Sequence, residues 1–189
     1  KSVIDFLKKN SQLTGDYMDK ILSHPSSKFY APYNFLTNSE ESTREWHEEL
    51  VAAIDDQSVK VFATKNGVEI YYRYLQWDSD FFNIPTYRID YSYIPESLRK
   101  SKEAFDDLFA HLESQHTGFY LFAEVPSEDI QALSSMTAAG YSLIESRLTY
   151  FHDQIQQFDS GRRYATRQAT VDDINALTKA AAEAVNSYD

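Results

Sequence analysis

The 189-residue sequence contains no cysteine and no long apolar run. Without cysteine, disulfide bonds, thiolate nucleophiles and cysteine-based zinc sites are excluded, and nothing marks the chain for secretion. The longest apolar run, at 119–123, is far too short to cross a bilayer, and no signal-peptide core follows the first residues. We therefore predict a cytoplasmic protein with no membrane partner.

Basic residues are few: 18 Lys and Arg stand against 29 Asp and Glu, which gives a formal net charge of −11. A nucleic-acid surface needs clustered Lys and Arg, so we predict no nucleic-acid partner. The acids concentrate at 39–57, where seven acids accompany one base. We interpret this segment as the solvated face of a helix, with an acidic docking surface as the alternative.

Glycine is scarce as well, with five residues that lie far apart at positions 15, 67, 118, 140 and 161. A loop that holds a pyrophosphate needs closely spaced glycines at a helix N-terminus, so that backbone N–H groups can approach the phosphates. This sequence contains no such loop. The five histidines show no metal-ligand spacing, so we predict no metal. The sequence also lacks the Gly-x-Ser-x-Gly elbow around the nucleophile, so a hydrolase has no support.

Aromatic residues, in contrast, make up 15% of the chain, with 14 Tyr and 12 Phe. They are densest at 75–91, which reads LQWDSDFFNIPTYRIDY. Such a stretch forms either a corner of the core or the wall of a binding pocket. We interpret it as a corner that joins two strands, with its aromatic side chains turned inward. Stacking of Trp77, Phe81 and Phe82 on a sugar or a nucleobase is the alternative.

Alternation and turn residues predict the order of the elements. β-rich runs flank Asn66-Gly67, which favours a type I′ hairpin turn. Alternation at 86–93 predicts that Tyr87, Ile89 and Tyr91 share one face of a strand. The remaining pattern predicts helices at 1–25, 39–54, 95–116 and from Pro126 to Gly140, strands at 119–125, 141–151 and 164–170, a linker at 152–163, and a last helix that begins with a capping box at Thr170.

Hairpins mixed with β–α units predict an α/β (α+β) fold: a mixed, largely antiparallel sheet with flanking helices, preceded by a helical N-terminal segment. The predicted domains are a helical lead segment at 1–58 that packs on the sheet, an α/β domain at 59–158, and a third part at 159–189. That third part consists of the linker, one strand and one helix, and is too small to form a sheet of its own.

Three stretches together resemble the acyltransferases of the GNAT superfamily, in particular nucleotide-sugar acyltransferases of the dTDP-fucosamine acetyltransferase type. They are Leu75-x-Trp77-Asp78-Ser79-x-Phe81-Phe82 followed by Arg88-Ile89, Asp129-Ile-x-Ala-Leu133 followed by Gly140-Tyr-Ser-Leu-Ile-Glu145, and Arg167-x-Ala169-x-x-Asp172-Asp-Ile174-x-x-Leu177. The similarity covers residues 59–189. Two departures stand out: Asn83 takes the place of a Gly that the family often has, and 1–58 has no counterpart.

The resemblance implies a GNAT-like fold and a parent enzyme that moves an acetyl group from acetyl-CoA to an amine, with an amino sugar of a nucleotide sugar as the candidate small-molecule acceptor. It also implies that a later glycine-rich loop holds acetyl-CoA. We therefore expect the chain to be part of a longer protein, with an incomplete catalytic domain at 159–189, and not to bind acetyl-CoA alone. A homo-oligomer is also expected. The alternative function is a non-catalytic sugar-recognition or subunit-interface domain.

By the same resemblance, the candidate residues for the acceptor side are Trp77, Asp78, Phe82 and Arg88. An arginine can clamp a phosphate or a carboxylate, although an ion pair of Arg88 with Asp78 or Asp80 is the simpler interpretation. The Asp78-x-Asp80 pair can in principle hold Mg²⁺ against a diphosphate. Because no basic phosphate site accompanies it, we interpret the pair as part of a turn or a cap.

Two glutamates are candidates for the general base. Glu124 and Glu145 fall in or beside predicted strands and can act as bases if they are buried. Glu145 is the better candidate, because the family motif extends to it. No other residue is proposed for catalysis.

Overall fold

The computed structural model describes residues 19–31, 39–149 and 167–186. By internal contacts the chain divides into two units, Lys1–Glu145 and Ser146–Asp189. The predicted domain boundaries near 58 and 158 stay predictions. In the part of the chain that is described, no helix is long and apolar enough to cross a membrane.

The first unit consists of one four-stranded sheet and its helices. Residues 19–23 are helical. The elements that follow are α1 (Ser27–Tyr30), α2 (Ser39–Asp55), β1 (Lys60–Ala63), β2 (Glu69–Tyr74), α3 (Gln76–Phe82), β3 (Thr86–Tyr93), α4 (Lys102–Glu113), β4 (Tyr120–Ala123) and α5 (Ile130–Ala138). The strand order is β1-β2-β3-β4; the first two pairs are antiparallel and β3 pairs with β4 in parallel. This confirms the predicted α/β (α+β) class, a mixed, largely antiparallel sheet with flanking helices, and the lead is helical at 19–23, 27–30 and 39–55.

The predicted hairpin is present, but its turn differs from the predicted type. β1 and β2 pair from Lys60↔Tyr72 to Ala63↔Glu69, so the loop spans 64–68. Gly67 has a φ of +84°, whereas Asn66 is not among the described residues with positive φ. The N–H of Gly67 donates to the carbonyl of Thr64 over 3.1 Å. A type I′ turn needs two left-handed residues, and this five-residue loop uses only one.

Both faces of the sheet are covered by helices at least in part. On one face, α4 and α5 pack on Ile70, Tyr72 and Ile89 through a set of buried side chains: Ala104, Phe105, Leu108, Leu112 and Met136. The predicted helix at 95–116 is shorter at both ends and begins at Lys102. On the other face, Ile21, Leu50 and Val59 surround Tyr71 and Tyr91. Each fully buried large apolar side chain contributes about 1.5–3 kcal/mol.

A β-bulge in β3 changes which face its side chains occupy. Tyr71 pairs with Tyr91 and Tyr72 pairs with Ile89, so Asp90 has no opposite residue on β2. An extra residue of this kind kinks the strand and interrupts its alternation. Ile89 therefore lies in the cluster under α4, and Tyr91 lies in the cluster under the N-terminal helices. The prediction that both share one face is wrong for this reason.

Helix α5 ends before Gly140 as its sequence predicts, but it begins at Ile130, later than the predicted opening at Pro126. The Asp129 carboxylate accepts the N–H of Ala132 over 3.0 Å as an N-cap. Gly140 has a φ of +91°, and Tyr141 donates its N–H to the carbonyl of Met136, which completes a Schellman motif. The predicted strand at 141–151 is wrong where it is described, because 141–149 forms no strand; 150–151 lies outside the described residues.

The second unit is described at 146–149 and 167–186. The predicted capping box is confirmed: Thr170 and Asp173 bond reciprocally at the start of a 3₁₀ turn, Val171–Asp173, which leads into α6, Ile174–Asn186. Arg167 donates two hydrogen bonds to Asp173, at 2.7 and 2.6 Å. The predicted strand at 164–170 is absent at 167–170. Residues 164–166 and the predicted linker at 152–163 lie outside the described residues.

Candidate functional site

The Trp77-Asp-Ser-Asp-Phe-Phe82 stretch forms helix α3 rather than an irregular corner. The Ser79 hydroxyl donates to the carbonyl of Leu75 over 2.6 Å and accepts the N–H of Thr86 over 2.9 Å. Ser79 thereby fixes the short helix against the first residue of β3. Asn83 ends the helix in the left-handed conformation, with a φ of +52°. Asparagine tolerates that conformation better than most residues.

The aromatic side chains of α3 face outward. Trp77, Phe81 and Phe82, called here the α3 aromatic cluster, are 70%, 68% and 59% exposed. Trp77 and Phe81 lie one helical turn apart and stack with their ring centroids 5.2 Å apart. The prediction that these rings turn inward is wrong, because the only buried residue of α3 is the small Ser79. An exposed aromatic group of this size is uncommon on a surface without a binding role.

The two aspartates of α3 do not form a metal site with other described residues. Asp80 is exposed and accepts a hydrogen bond from the Gln76 amide over 2.8 Å. Asp78 is partly exposed in the first turn of the helix, where a carboxylate interacts favourably with the helix dipole. Among the described residues, no three His, Cys, Asp or Glu side chains come together as metal ligands.

Arg88 forms its ion pair with Asp90, not with Asp78 or Asp80. The Arg88 Nε lies 2.7 Å from Asp90 Oδ1, and Arg73 binds the other carboxylate oxygen over 2.5 Å. These three residues are called here the arginine cluster. Asp90 is 9% exposed, whereas the Arg73 and Arg88 side chains are 30% and 36% exposed. Two guanidinium groups thus share one carboxylate at the bulge of β3.

Two aromatic side chains of β4 lie beside the arginine cluster. In the parallel pair, Arg88 is opposite Phe122 and Thr86 is opposite Tyr120. Residues opposite each other in a ladder point to the same face, so Arg88, Phe122 and Tyr120 share one face of the sheet. The Tyr120 and Phe122 rings are 5.7 Å apart between centroids, and Tyr120 is 50% exposed.

A small crevice opens where β3 and β4 diverge beyond their last paired residues. It encloses about 140 Å³, including space open to solvent, and its lining includes Tyr30, Ile89, Asp90, Tyr91, Glu124 and Met136. The Tyr30 hydroxyl donates to the Asp129 carboxylate over 2.8 Å at this place. Burial and the Asp129 charge raise the pKa of Tyr30 far above its ordinary value. Sites that hold small molecules usually measure about 300–1,000 Å³, so acetyl-CoA does not fit this crevice.

The two glutamates considered as general bases are both exposed. Glu124 directly follows β4, and Glu145 lies within the non-strand segment 141–149. Burial, the condition for their role as bases, is therefore not met in the structure. The catalytic role of Glu145 stays a prediction.

The structure therefore brings together only part of the predicted acceptor site. Trp77 and Phe82 lie in one exposed cluster with Phe81, and Arg88 lies in the arginine cluster. Sequence reasoning missed the residues that surround Arg88: Arg73, Asp90, Tyr120 and Phe122. Whether these residues lie near Arg88 depends on the register between strands. The only local signal of it in β3 is the acidic Asp90.

Comparisons with known proteins add little to this geometry. No family model matches the chain, and no curated protein matches it. One solved structure, described as the crystal structure of a probable acetyltransferase, is 11% identical and superposes with a TM-score of 0.41 over 80% of this chain and 95% of the other. A likeness this distant assigns no residue and no chemistry to the present chain.

Proposed function

We propose that the protein is part of a GNAT-type acyltransferase, one that moves an acetyl group from acetyl-CoA to the amine of a nucleotide-linked amino sugar. In this proposal the chain supplies the acceptor side of the site. The observation that carries it is a pair of partly exposed arginines, Arg73 and Arg88, that lie beside aromatic rings on one face of the sheet. Arginine forks bind phosphate and carboxylate, and aromatic faces bind sugar and base rings.

In this proposal acetyl-CoA is not bound by this chain alone. The sequence has no glycine-rich loop to approach a pyrophosphate, and the crevice between β3 and β4 is about 140 Å³. The proposal therefore gives the chain no transfer step. Its own residues bind and orient the acceptor, and Glu145 stays the candidate for the general base.

Calorimetry tests the proposal with two ligands on the same protein. We expect a dTDP-linked amino sugar to bind and acetyl-CoA to give no saturable heat. Tight binding of acetyl-CoA would overturn the placement of the donor site outside this chain. No binding of the amino sugar at millimolar concentration would overturn the acceptor role.

The alternative is a non-catalytic sugar-recognition or subunit-interface domain, and the α3 aromatic cluster favours it. Three large rings that are more than half exposed suit a stacked sugar or a contact between copies of the chain. Sedimentation of the wild type and of the Trp77→Ala variant distinguishes these two uses. A dimer that dissociates in the variant supports an interface, whereas a monomer in both, together with loss of amino-sugar binding in the variant, supports sugar recognition.

A further inference from the structure

We propose that the arginine cluster binds the phosphate groups of a nucleotide and that Tyr120 and Phe122 support its ring. This inference names the substrate part that the chain recognises, and in that respect it rests on the proposed function. In this inference the phosphates bind to Arg73 and Arg88, which lie on one face of the sheet. They do not bind to the aspartates or the aromatic rings of α3.

The charge of the cluster is the first argument. A guanidinium carries five N–H donors, and the described contacts of Arg88 use only its Nε, toward Asp90. Neither terminal nitrogen of Arg88 has an acceptor among the described residues. Arg73 is better compensated, because it bonds Asp90 through two nitrogens and also helps, after the hydrogen bonds of Ser58, to lower the pKa of Asp56. Arg88 is therefore the group with donors to spare.

The second argument is preorganisation. Arg73 and Arg88 are directly opposite each other on β2 and β3. Their like charges repel each other unless a negative charge lies between them. Asp90, the extra residue of the bulge, supplies that charge from a position that is 9% exposed. It holds both forks side by side at 2.5 and 2.7 Å while leaving them partly exposed. A phosphate then binds without first ordering two long side chains.

The third argument is the neighbouring ring surface. Phe122 is the residue opposite Arg88 on β4, and Tyr120 is the next on the same face. Their rings lie 33° apart in plane and 5.7 Å apart between centroids, with Tyr120 half exposed. An anion site beside an aromatic surface fits a molecule that carries both a phosphate and a flat ring, as a nucleotide does. In a protein with a net charge of −11, a dianion needs such a local site, since the overall field repels it.

The experiment is calorimetric titration of the protein with thymidine diphosphate at low salt, beside thymidine and inorganic phosphate as separate probes. We expect thymidine diphosphate to bind and thymidine to bind at least about tenfold more weakly. Arg88→Gln should weaken thymidine diphosphate about tenfold or more. The matched control is Arg44→Gln, at an exposed arginine on α2 whose Nε lies 3.8 Å from Oε1 of Glu48. It should bind as the wild type does.

Two further variants test whether the arginine cluster binds a nucleotide or serves only as an ion pair that stabilises the fold. Asp90→Asn removes the carboxylate that holds both guanidinium groups side by side, so we expect it to lower stability and to weaken thymidine diphosphate binding. Tyr120→Ala should weaken thymidine diphosphate and leave inorganic phosphate unchanged. The proposal is overturned if thymidine and thymidine diphosphate bind equally, or if Arg88→Gln binds as tightly as Arg44→Gln.

The outcome is also separable from the proposed function. If thymidine diphosphate binds and the arginine variants respond, but the amino sugar binds no better than thymidine diphosphate alone, the amine-acceptor role fails and the phosphate site stands. If the amino sugar binds equally to wild type and Arg88→Gln, the phosphate site fails and the acceptor role stands.

Discussion

Tyr91 and the α3 aromatic cluster come from the same stretch of sequence, 75–91, yet Tyr91 is buried and the cluster is exposed. Tyr91 is 1% exposed and packs edge-on against Tyr30 and Trp46, with centroids 5.0 and 5.5 Å away. Trp77 is 70% exposed and, among the described residues, stacks only on Phe81 of its own helix. The two differ in burial because other elements pack on the Tyr91 ring, whereas the Trp77 ring stacks within its own helix.

Polar partners complete the buried region. The Tyr91 hydroxyl lies 3.0 Å from His24 Nδ1 and 3.3 Å from Ser27 Oγ, and burial raises its pKa to about 12. A buried tyrosine is stable when its hydroxyl has such partners. Aromatic content alone therefore does not separate core from surface.

The largest expected effect comes from truncating the buried side. Tyr91→Ala removes a ring from the cluster between the sheet and the N-terminal helices, and should lower the free energy of unfolding by about 3–5 kcal/mol. Urea denaturation followed by far-UV circular dichroism measures it. A loss below about 1 kcal/mol would mean that this face is not a packed core, and the comparison would fail.

His47 gives the next effect, through pH. It is 1% exposed, neither ring nitrogen has a hydrogen-bond partner among the residues described, and burial lowers its pKa from 6.5 to about 4. The unfolded chain takes up the proton near pH 6.5 and the folded chain only near pH 4. The contribution of His47 to the free energy of unfolding is therefore complete above pH 6.5. As pH falls toward 4, the free energy of unfolding decreases by up to about 3 kcal/mol.

Urea midpoints between pH 7.5 and 4.5 test this dependence. His47→Leu should remove the part of the slope between pH 6.5 and 4 that comes from this residue. The control is His111→Gln, at an exposed position on α4, which should keep the wild-type slope. An unchanged slope in His47→Leu would show that His47 titrates normally in the folded protein.

A smaller effect is expected at the edge of the buried region. Tyr30→Phe removes the hydroxyl that donates to Asp129 and leaves one carboxylate oxygen with one partner fewer. Because the lost hydrogen bond involves a charged acceptor, we expect a loss of about 1–2 kcal/mol in the free energy of unfolding. Asp129 keeps its bond to Ala132 and α5 should stay folded, which the helical circular dichroism signal checks. A stability equal to that of wild type would show that water replaces the tyrosine.

The smallest effect on stability is expected in the α3 aromatic cluster. Trp77→Ala removes a side chain that is 70% exposed, so the free energy of unfolding should change by no more than about 0.5 kcal/mol. The same urea experiment applies. A loss of about 2 kcal/mol or more would show that Trp77 is packed in solution, and the contrast with Tyr91 would disappear.

Short-range features were predictable because their causes are local in sequence. Gly67 in the hairpin loop, Gly140 after α5 and the Thr170–Asp173 capping box all depend on residues within a few positions of each other. Helix α3 escaped prediction, because the β-rich context on both sides favoured a strand corner. The exposed state of its rings could not be read from the stretch itself, since it depends on which elements lie opposite.

The sequence by itself determined the broad fold class, the hairpin, the C-terminal end of α5 and the capping box before α6, because turn residues and caps act over one or two turns of chain. Only the tertiary structure decided that β3 bulges at Asp90, that Ile89 and Tyr91 consequently face opposite layers, and that Arg73 and Arg88 share one carboxylate. Those features depend on the register between strands that are far apart in sequence, and register is set by how the whole sheet packs.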